Sequence, residues 1–242
     1  MSTSRAAAVI VLVHGAWHGG WCWRRVAPVL RAEGHEVNTP TLTGLGERAH
    51  LARPDVTLET HVEDVVALLE AEDLRDVVLV GHSSGGVVVT GVAERAAGRL
   101  ARLVLLDAFV PAAGESVLGL LPEARRAHFE AQARTAGDGW RIPLDWRAAL
   151  AGWGVTDAAD VAWMEPRLRP QPLATMDRGP ASVAAAEALP RSFVHCTLKP
   201  AGDAFARFAE RARAQDLPVH ELAAGHDAMV THPQAVAGLV LA

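Results

Sequence analysis

The feature of this sequence that most restricts its fold is the pentapeptide Gly81-His82-Ser83-Ser84-Gly85. It follows the aliphatic run 77–80 and precedes a helix-like segment at 87–97. A Gly-x-Ser-x-Gly motif between a buried strand and a helix predicts a sharp turn that exposes the serine hydroxyl at the carboxyl edge of a sheet. The serine backbone is strained there, and flanking glycines tolerate the turn because they have no Cβ. We therefore predict that Ser83 is a nucleophile, although a glycine-rich connection that happens to contain serine would look similar.

Buried strands and helices alternate on both sides of this motif. Strands are predicted at Val9–Val13, Glu36–Asn38, Val77–Val80, Leu103–Leu106, Arg191–Thr197 and Pro218–Leu222, and helices at Trp23–Glu33, Leu58–Ala71, Val87–Ala97, Ala204–Ala214 and from Pro233. This alternation indicates an α/β fold with a mostly parallel sheet of about six strands and helices on both faces. Residues 111–189 contain no aliphatic strand run and are predicted to form a helical insertion. The core would then comprise residues 1–110 and 190–242.

Composition excludes several classes of function. Half of the 242 residues are apolar and the net charge is -5, with Lys199 as the single lysine, so a nucleic acid partner is not expected. Cys22 and Cys196 form neither a disulfide framework nor a metal motif. No apolar segment reaches the roughly 18 residues needed to cross a membrane. We expect a cytoplasmic monomer or homodimer that binds a small molecule and uses no metal, nucleotide or other cofactor.

A serine hydroxyl needs a base within hydrogen-bond reach, and histidine suits that role because its ordinary pKa is near neutral pH. His226 follows the last predicted strand, which places it at the carboxyl edge of the sheet with Ser83. We predict that it is the base; the alternative is a solvated loop histidine with no catalytic role. His232, before a proline, is interpreted as an exposed helix cap. His14 and His18 precede the serine in the chain, and the order serine, acid, histidine excludes them as the base.

The segment 11–23 (Val-Leu-Val-His-Gly-Ala-Trp-His-Gly-Gly-Trp-Cys-Trp), with 81–85 and Gly225-His226, resembles the plant methylesterase and hydroxynitrile lyase branch of the α/β hydrolases and bacterial esterases of that type. The resemblance covers roughly two thirds of the chain and leaves the insertion largely uncovered. It implies the α/β-hydrolase fold with a cap over the site. It also implies an oxyanion hole formed by the backbone N–H groups of Ala16 and Ser84.

The third member of the expected serine–acid–histidine triad is not where this family usually has it. There it usually follows the next-to-last strand, but the segment 197–200 here has no carboxylate. Asp107 ends the strand after the serine helix, where certain haloalkane dehalogenases carry their acid, and a buried carboxylate there would be satisfied by a histidine N–H. Asp203 is the alternative, although it precedes the segment 204–208 and also suits a helix N-cap. We favour Asp107.

Seven tryptophans lie in the first loop and its helix or in the insertion, so they are candidates for an apolar pocket or for ordinary packing of cap onto core. The residues predicted to bind substrate are Trp17, His18, His82, Phe109, Trp140 and Trp163.

We expect a carboxylic-ester hydrolase that forms an acyl-enzyme with a small, apolar or aromatic substrate. One alternative is a lactone or C–C bond hydrolase that modifies a larger metabolite. Another is a hydroxynitrile lyase, although that activity would be expected to need threonine in place of Gly15 and lysine in place of Asp227. The non-enzyme alternative is a hydrolase-like receptor for a small molecule.

Overall fold

The computed structural model describes residues 7–200 and 202–242 of the chain. The strands are β1 (Val9–Val13), β2 (Glu36–Asn38), β3 (Val77–His82), β4 (Leu100–Leu106), β5 (Arg141–Ile142), β6 (Gln171–Pro172), β7 (Arg191–Cys196) and β8 (Val219–Leu222). The helices are α1 (Val26–Ala32), α2 (Leu58–Ala71), α3 (Gly85–Ala96), α4 (Glu123–Ala136), α5 (Trp146–Gly152), α6 (Ala158–Met164), α7 (Ala184–Ala188), α8 (Ala206–Ala214), α9 (Ala228–Thr231) and α10 (Pro233–Leu241). Short 3-10 turns occur at Gly20–Trp23, Gly46–Leu51, Ala97–Arg99, Glu165–Arg167 and Leu173–Thr175.

Six strands form one parallel sheet in the order β2-β1-β3-β4-β7-β8. Every residue of β3 is buried, and so are the last four residues of β1, as expected for strands covered on both faces. Helix α2 packs against α3, and α1 packs against α10. The predicted α/β-hydrolase fold with a six-stranded sheet is therefore confirmed. Because the strands are parallel, the loops that follow β1, β3, β4, β7 and β8 meet at one edge.

Helix α2 begins and ends where its apolar periodicity predicts. Leu58, Val62, Val65, Val66 and Leu69 are all buried on one face. Thr57 caps the N-terminus in a capping box with Thr60, whose side chain reaches back to the cap backbone.

The prediction of a helix over Trp23–Glu33 is wrong at its start. A 3-10 turn covers Gly20–Trp23, and α1 begins only at Val26. Pro28 explains the difference, because a proline has no N–H to donate and is tolerated only in the first turn of a helix. A helix beginning at Trp23 would place Pro28 in its interior.

The segment between β4 and β7 is mostly helical, with α4 to α7, but it also holds the antiparallel pair β5 and β6. Each of these strands has two residues, which is too short to leave an alternating pattern in the sequence. We propose to treat residues 111–189 as a cap segment on a core of residues 1–110 and 190–242. Within the described ranges, every helix is too short or too polar to cross a bilayer.

Candidate active site

Ser83 occupies the sharp turn between β3 and α3. Its φ of 54° is in the left-handed region, which a non-glycine residue adopts only when its surroundings hold it there. They do so through three backbone hydrogen bonds: the Ser83 N–H donates to Leu106 O (3.3 Å), and Ser83 O accepts from Gly86 (3.1 Å) and Phe109 (3.0 Å). The turn also needs Gly85, since a Cβ there would lie 2.8 Å from His14 O.

Ala16 lies in the loop after β1 and Ser84 is the N-cap of α3, and both border the same small cavity. Among the described residues, neither backbone N–H has a hydrogen-bond acceptor. Two such free donors beside a nucleophilic serine are what an oxyanion hole requires. Gly15 brings the two loops together, because a Cβ on it would lie only 2.7 Å from Ser83 Cβ.

The loop that carries Ala16 is fixed from two directions. The His14 ring donates to Gly15 O (2.8 Å) and accepts from the Leu42 N–H (3.0 Å), and burial lowers the pKa of His14 to about 3, so the ring is neutral. On the cap side, the Trp17 backbone N–H donates to Gln171 Oε1 (2.9 Å) and its indole N–H donates to Ile142 O (2.9 Å). The orientation of the Ala16 N–H therefore depends on both the core and the cap segment.

His226 lies in the loop between β8 and α9, and its Nδ1 is 2.6 Å from Asp107 Oδ2. A carboxylate accepts hydrogen bonds only, so Nδ1 carries the proton and Nε2 is left as the basic atom. Asp107 directly follows β4 with φ of 43°, and its N–H donates to Val194 O (2.7 Å). The carboxylate is 0% exposed, which makes its hydrogen bonds necessary rather than optional.

The Asp203 carboxylate, the alternative acid, bonds elsewhere. Its Oδ2 is 2.6 Å from His195 Nε2, and its Oδ1 is 2.6 Å from Lys199 Nζ. Its Oδ1 also accepts from the N–H groups of Phe205 and Ala206 near the start of α8, which is the capping role that the sequence allowed. Lys199 Nζ is in turn 2.7 Å from Asp107 Oδ1, so one ammonium bridges the two carboxylates. This bridge was not predicted from the sequence, although Lys199 lies in the segment 197–200, which has no carboxylate.

A second buried polar cluster lies behind His226. His18 Nε2 is 3.3 Å from Asp227 Oδ2, and His82 Nε2 donates to the carbonyl of His226 (3.0 Å). Burial lowers the pKa of His18, but the charge of Asp227 outweighs this effect and the pKa is raised. Burial pushes the pKa of His82 well below its ordinary value, so that ring is neutral.

His82, which was predicted to bind substrate, lies in the buried interior of the site. The ring is 0% exposed and packs against the His226 ring with centroids 4.6 Å apart. The ring supports the His226 loop, because it donates to the His226 carbonyl and packs against the His226 ring.

The aromatic residues around His226 include Phe109, which was predicted to bind substrate, and two rings that were not predicted, Phe205 and Trp153. Phe205 stacks on the His226 ring (4.7 Å between centroids, 16° between planes), and Phe109 packs edge-on against Phe205 at 5.1 Å. The ring centroid of Trp153, in the cap segment, lies 6.5 Å from that of His226 and 5.3 Å from that of His18.

Of the tryptophans predicted to bind substrate, Trp17 stacks with Trp153 at 5.9 Å. Trp163 packs on Trp21, and Trp140 lies under the Arg141 guanidinium. Within the described chain, neither Trp140 nor Trp163 has a ring contact with His226 or His18, whereas Trp153 has a ring contact with both. Sequence position alone could not separate four tryptophans in one insertion.

Two cavities lie near this edge of the sheet. A small cavity of about 10 Å³, which is room for about one water molecule, is bordered by Ala16 and Ser84 and closed by residues of the cap segment such as Gln171 and Met176. A larger cleft of about 380 Å³ is lined by residues such as Trp21 and Arg31 and includes neither Ser83 nor His226. The small cavity borders Ala16 and Ser84, the two candidate oxyanion-hole donors, whereas the lining of the larger cleft includes neither of them.

Comparisons with known proteins agree with this architecture. Residues 10–239 match the profile of the Alpha/beta hydrolase family. The chain is 49% identical over 175 residues to the carbendazim hydrolyzing esterase of Nocardioides sp. (strain SG-4G), which covers 70% of this chain and 72% of that protein. It is 34% identical to Methylesterase 9 of Arabidopsis thaliana over 50% of each chain.

Among solved structures, an extracellular α/β-hydrolase from a Paenibacillus species superimposes with a TM-score of 0.85. The superposition covers 97% of this chain and 98% of that one at 26% identity. That protein is described as sharing structural and functional homology with tobacco salicylic acid binding protein 2.

Proposed function

Because this chain belongs to the alpha/beta hydrolase family, we propose that it hydrolyses carboxylic esters of small molecules through an acyl-enzyme on Ser83. The observation that carries the proposal is the 2.6 Å contact between His226 Nδ1 and Asp107 Oδ2, at the sheet edge that also carries the strained Ser83. This contact leaves His226 Nε2 free to act as a base. Esterase activity is also the activity named for the relatives reported above.

In the first half of the reaction, His226 Nε2 takes the proton of the Ser83 hydroxyl while Oγ attacks the ester carbonyl. The carbonyl oxygen becomes negatively charged and is stabilised by the N–H groups of Ala16 and Ser84. His226 then gives the proton to the departing alcohol oxygen as the C–O bond breaks. Asp107 stabilises the imidazolium and keeps Nδ1 protonated throughout.

In the second half, water attacks the acyl-enzyme with His226 again as the base. The carboxylic acid leaves and Ser83 recovers its proton. Each oxyanion donor typically lowers the barrier by about 2.7 to 4 kcal/mol, because it meets full negative charge only in the tetrahedral intermediate.

The narrow space beside Ala16 and Ser84 favours esters with a small acyl group. The aromatic residues of the first loop and the cap segment, among them Trp17 and Trp153, supply an apolar surface. Gly15 also favours hydrolysis over cyanohydrin cleavage. The threonine expected at this position in a hydroxynitrile lyase would bring a Cβ to 2.7 Å from Ser83 Cβ. Methyl esters and carbendazim, which the relatives' names specify, are the first substrates to test.

The test is labelling with a fluorophosphonate probe, followed by hydrolysis of 4-nitrophenyl acetate. We expect the wild type to be labelled and active, and Ser83→Ala to lose labelling and about 10⁶-fold in kcat. Ser84→Ala is the matched control, because it removes the neighbouring hydroxyl and keeps the backbone N–H. Labelling that persists in Ser83→Ala, or that disappears in Ser84→Ala alone, would contradict the assignment of the nucleophile.

A further inference from the structure

Lys199 binds the oxygen of Asp107 that His226 does not use. Its Nζ is 2.7 Å from Asp107 Oδ1, and the Cys196 N–H donates to the same oxygen at 3.2 Å. The Lys199 side chain is only 4% exposed, and Asp107 is 0% exposed. A buried ammonium and a buried carboxylate are each costly without a partner. The two groups therefore hold each other in one arrangement.

Asp203 fixes the ammonium from the other side. Its Oδ1 is 2.6 Å from Lys199 Nζ, and its Oδ2 is held by His195 Nε2 at 2.6 Å. Partial burial raises the pKa of the Asp203 carboxyl, but the hydrogen bonds from Lys199 and His195 outweigh it and the pKa is lowered. Asp203 is thus an anion that anchors Lys199 to the start of α8.

Phe205 connects this ion cluster to the base. Its ring lies 5.1 Å from Lys199 Nζ on one side and stacks on the His226 ring at 4.7 Å. A shift of Lys199 would therefore disturb both partners of the pair, the carboxylate directly and the imidazole through Phe205.

From these contacts we propose that Lys199 is a positioning residue for the ester hydrolysis: its ammonium holds Asp107 Oδ1 so that Oδ2 faces His226 Nδ1. This inference rests on the proposed function of Ser83, His226 and Asp107. Without the ammonium, the Asp107 carboxylate loses one of the three groups that fix its rotation. Its negative charge also loses the nearest positive charge.

The charge around His226 predicts how Lys199 affects the pH profile. The titratable groups that face the His226 ring or its loop are Asp107 just after β4, His82 from β3 and the adjacent Asp227. His18, from the loop after β1, is bonded to Asp227, and Lys199 lies behind Asp107. Loss of the ammonium removes a positive charge and leaves more net negative charge near His226, which favours the protonated imidazolium. The acidic limb of the activity profile should then move to higher pH.

The experiment compares Lys199→Met, which keeps the length of the side chain without the charge, with Lys199→Arg, which keeps the charge. Arg213→Met is the matched control. Arg213 is an exposed cation at the C-terminal end of α8, and it is paired with Glu221 of β8. Each variant is assayed for kcat and KM on 4-nitrophenyl acetate between pH 5 and pH 9, and its thermal unfolding is measured.

We expect Lys199→Met to lower kcat by about 10-fold to 100-fold, the range typical of groups that orient a catalytic ligand. KM should stay within about threefold, and the acidic limb should move up by about one pH unit. Lys199→Arg should keep the limb near its wild-type position. Arg213→Met should change neither kcat nor the position of the limb. A merely structural role of Lys199 would lower the melting temperature without moving the limb.

The inference is overturned if folded Lys199→Met has an unmoved acidic limb, whatever its kcat, or keeps kcat within threefold of the wild type. If Lys199→Met does not fold, Asp203→Asn decides, because removal of that negative charge should move the limb in the opposite direction, to lower pH. An unmoved limb in Asp203→Asn would then overturn the inference. Fluorophosphonate labelling separates the two proposals: an unlabelled wild type removes the proposed function itself, whereas a labelled wild type with an unaffected Lys199→Met removes only the role of Lys199.

Discussion

Replacement of Asp107 by asparagine should abolish most of the activity, for a reason that the structure makes specific. Oδ1 faces two donors, Lys199 Nζ at 2.7 Å and the Cys196 N–H at 3.2 Å. The oxygen of an asparagine must remain on that side, so its NH₂ group must point at His226 Nδ1. An NH₂ group can only donate, which forces the proton of the imidazole onto Nε2. His226 could then no longer accept the proton of Ser83.

The expected loss is about 10⁴-fold in kcat, which corresponds to about 5.5 kcal/mol of transition-state stabilisation. Asp203→Asn is the matched control, since it makes the same chemical change in the same ion cluster without a bond to His226, and it should stay within about tenfold of the wild type. The assay is steady-state hydrolysis of 4-nitrophenyl acetate at pH 8, with circular dichroism to verify folding. A folded Asp107→Asn enzyme within tenfold of the wild type, or a collapse confined to Asp203→Asn, would refute the assignment of the acid.

Two further results are expected. Gly15→Ala should fold less stably and lose at least about tenfold in kcat, because its Cβ would lie 2.7 Å from Ser83 Cβ and 3.0 Å from His82 Nδ1; unchanged kinetics on 4-nitrophenyl acetate would contradict this. His18→Gln should reduce the free energy of unfolding most at pH 5 to 6 and less as pH rises. The folded pKa of His18 is raised by Asp227, so the stabilisation is complete below about 6.5 and is lost as pH rises through the folded pKa. Urea unfolding at several pH values measures the stability lost in His18→Gln, and a loss that grows as pH rises would contradict the prediction.

The fold was predictable because its local signals agree with one another. The aliphatic runs of β1 and β3 are buried on both faces, and the period of α2 matched its boundaries to the residue. The predictions failed where tertiary context decides. The start of α1 depends on Pro28, and the pair β5 and β6 is stabilised by contacts across the cap segment that no two-residue pattern can reveal.

The candidate site was predictable to the extent that loop order determines position. Ser83 and His226 follow β3 and β8, and parallel strands bring their loops to one edge. The neighbours of His226 were not predictable, because Phe205 and Trp153 reach it from α8 and from the cap segment. Sequence spacing says nothing about which of several aromatic rings will face one imidazole.

The sheet order explains how an acid after β4 can serve a histidine after β8. Strand β7 lies between them, so the Asp107 side chain must reach across its end. The left-handed φ of Asp107 turns the chain there, and its N–H continues the ladder to Val194 of β7. The end of β7 then supplies donors instead of an acid, the Cys196 N–H and the Lys199 ammonium, to the carboxylate passing over it. An acid in the loop after β7 would lie next to the histidine loop and would not have to extend past β7. Lys199 in that loop therefore holds a carboxylate that comes from one strand further away.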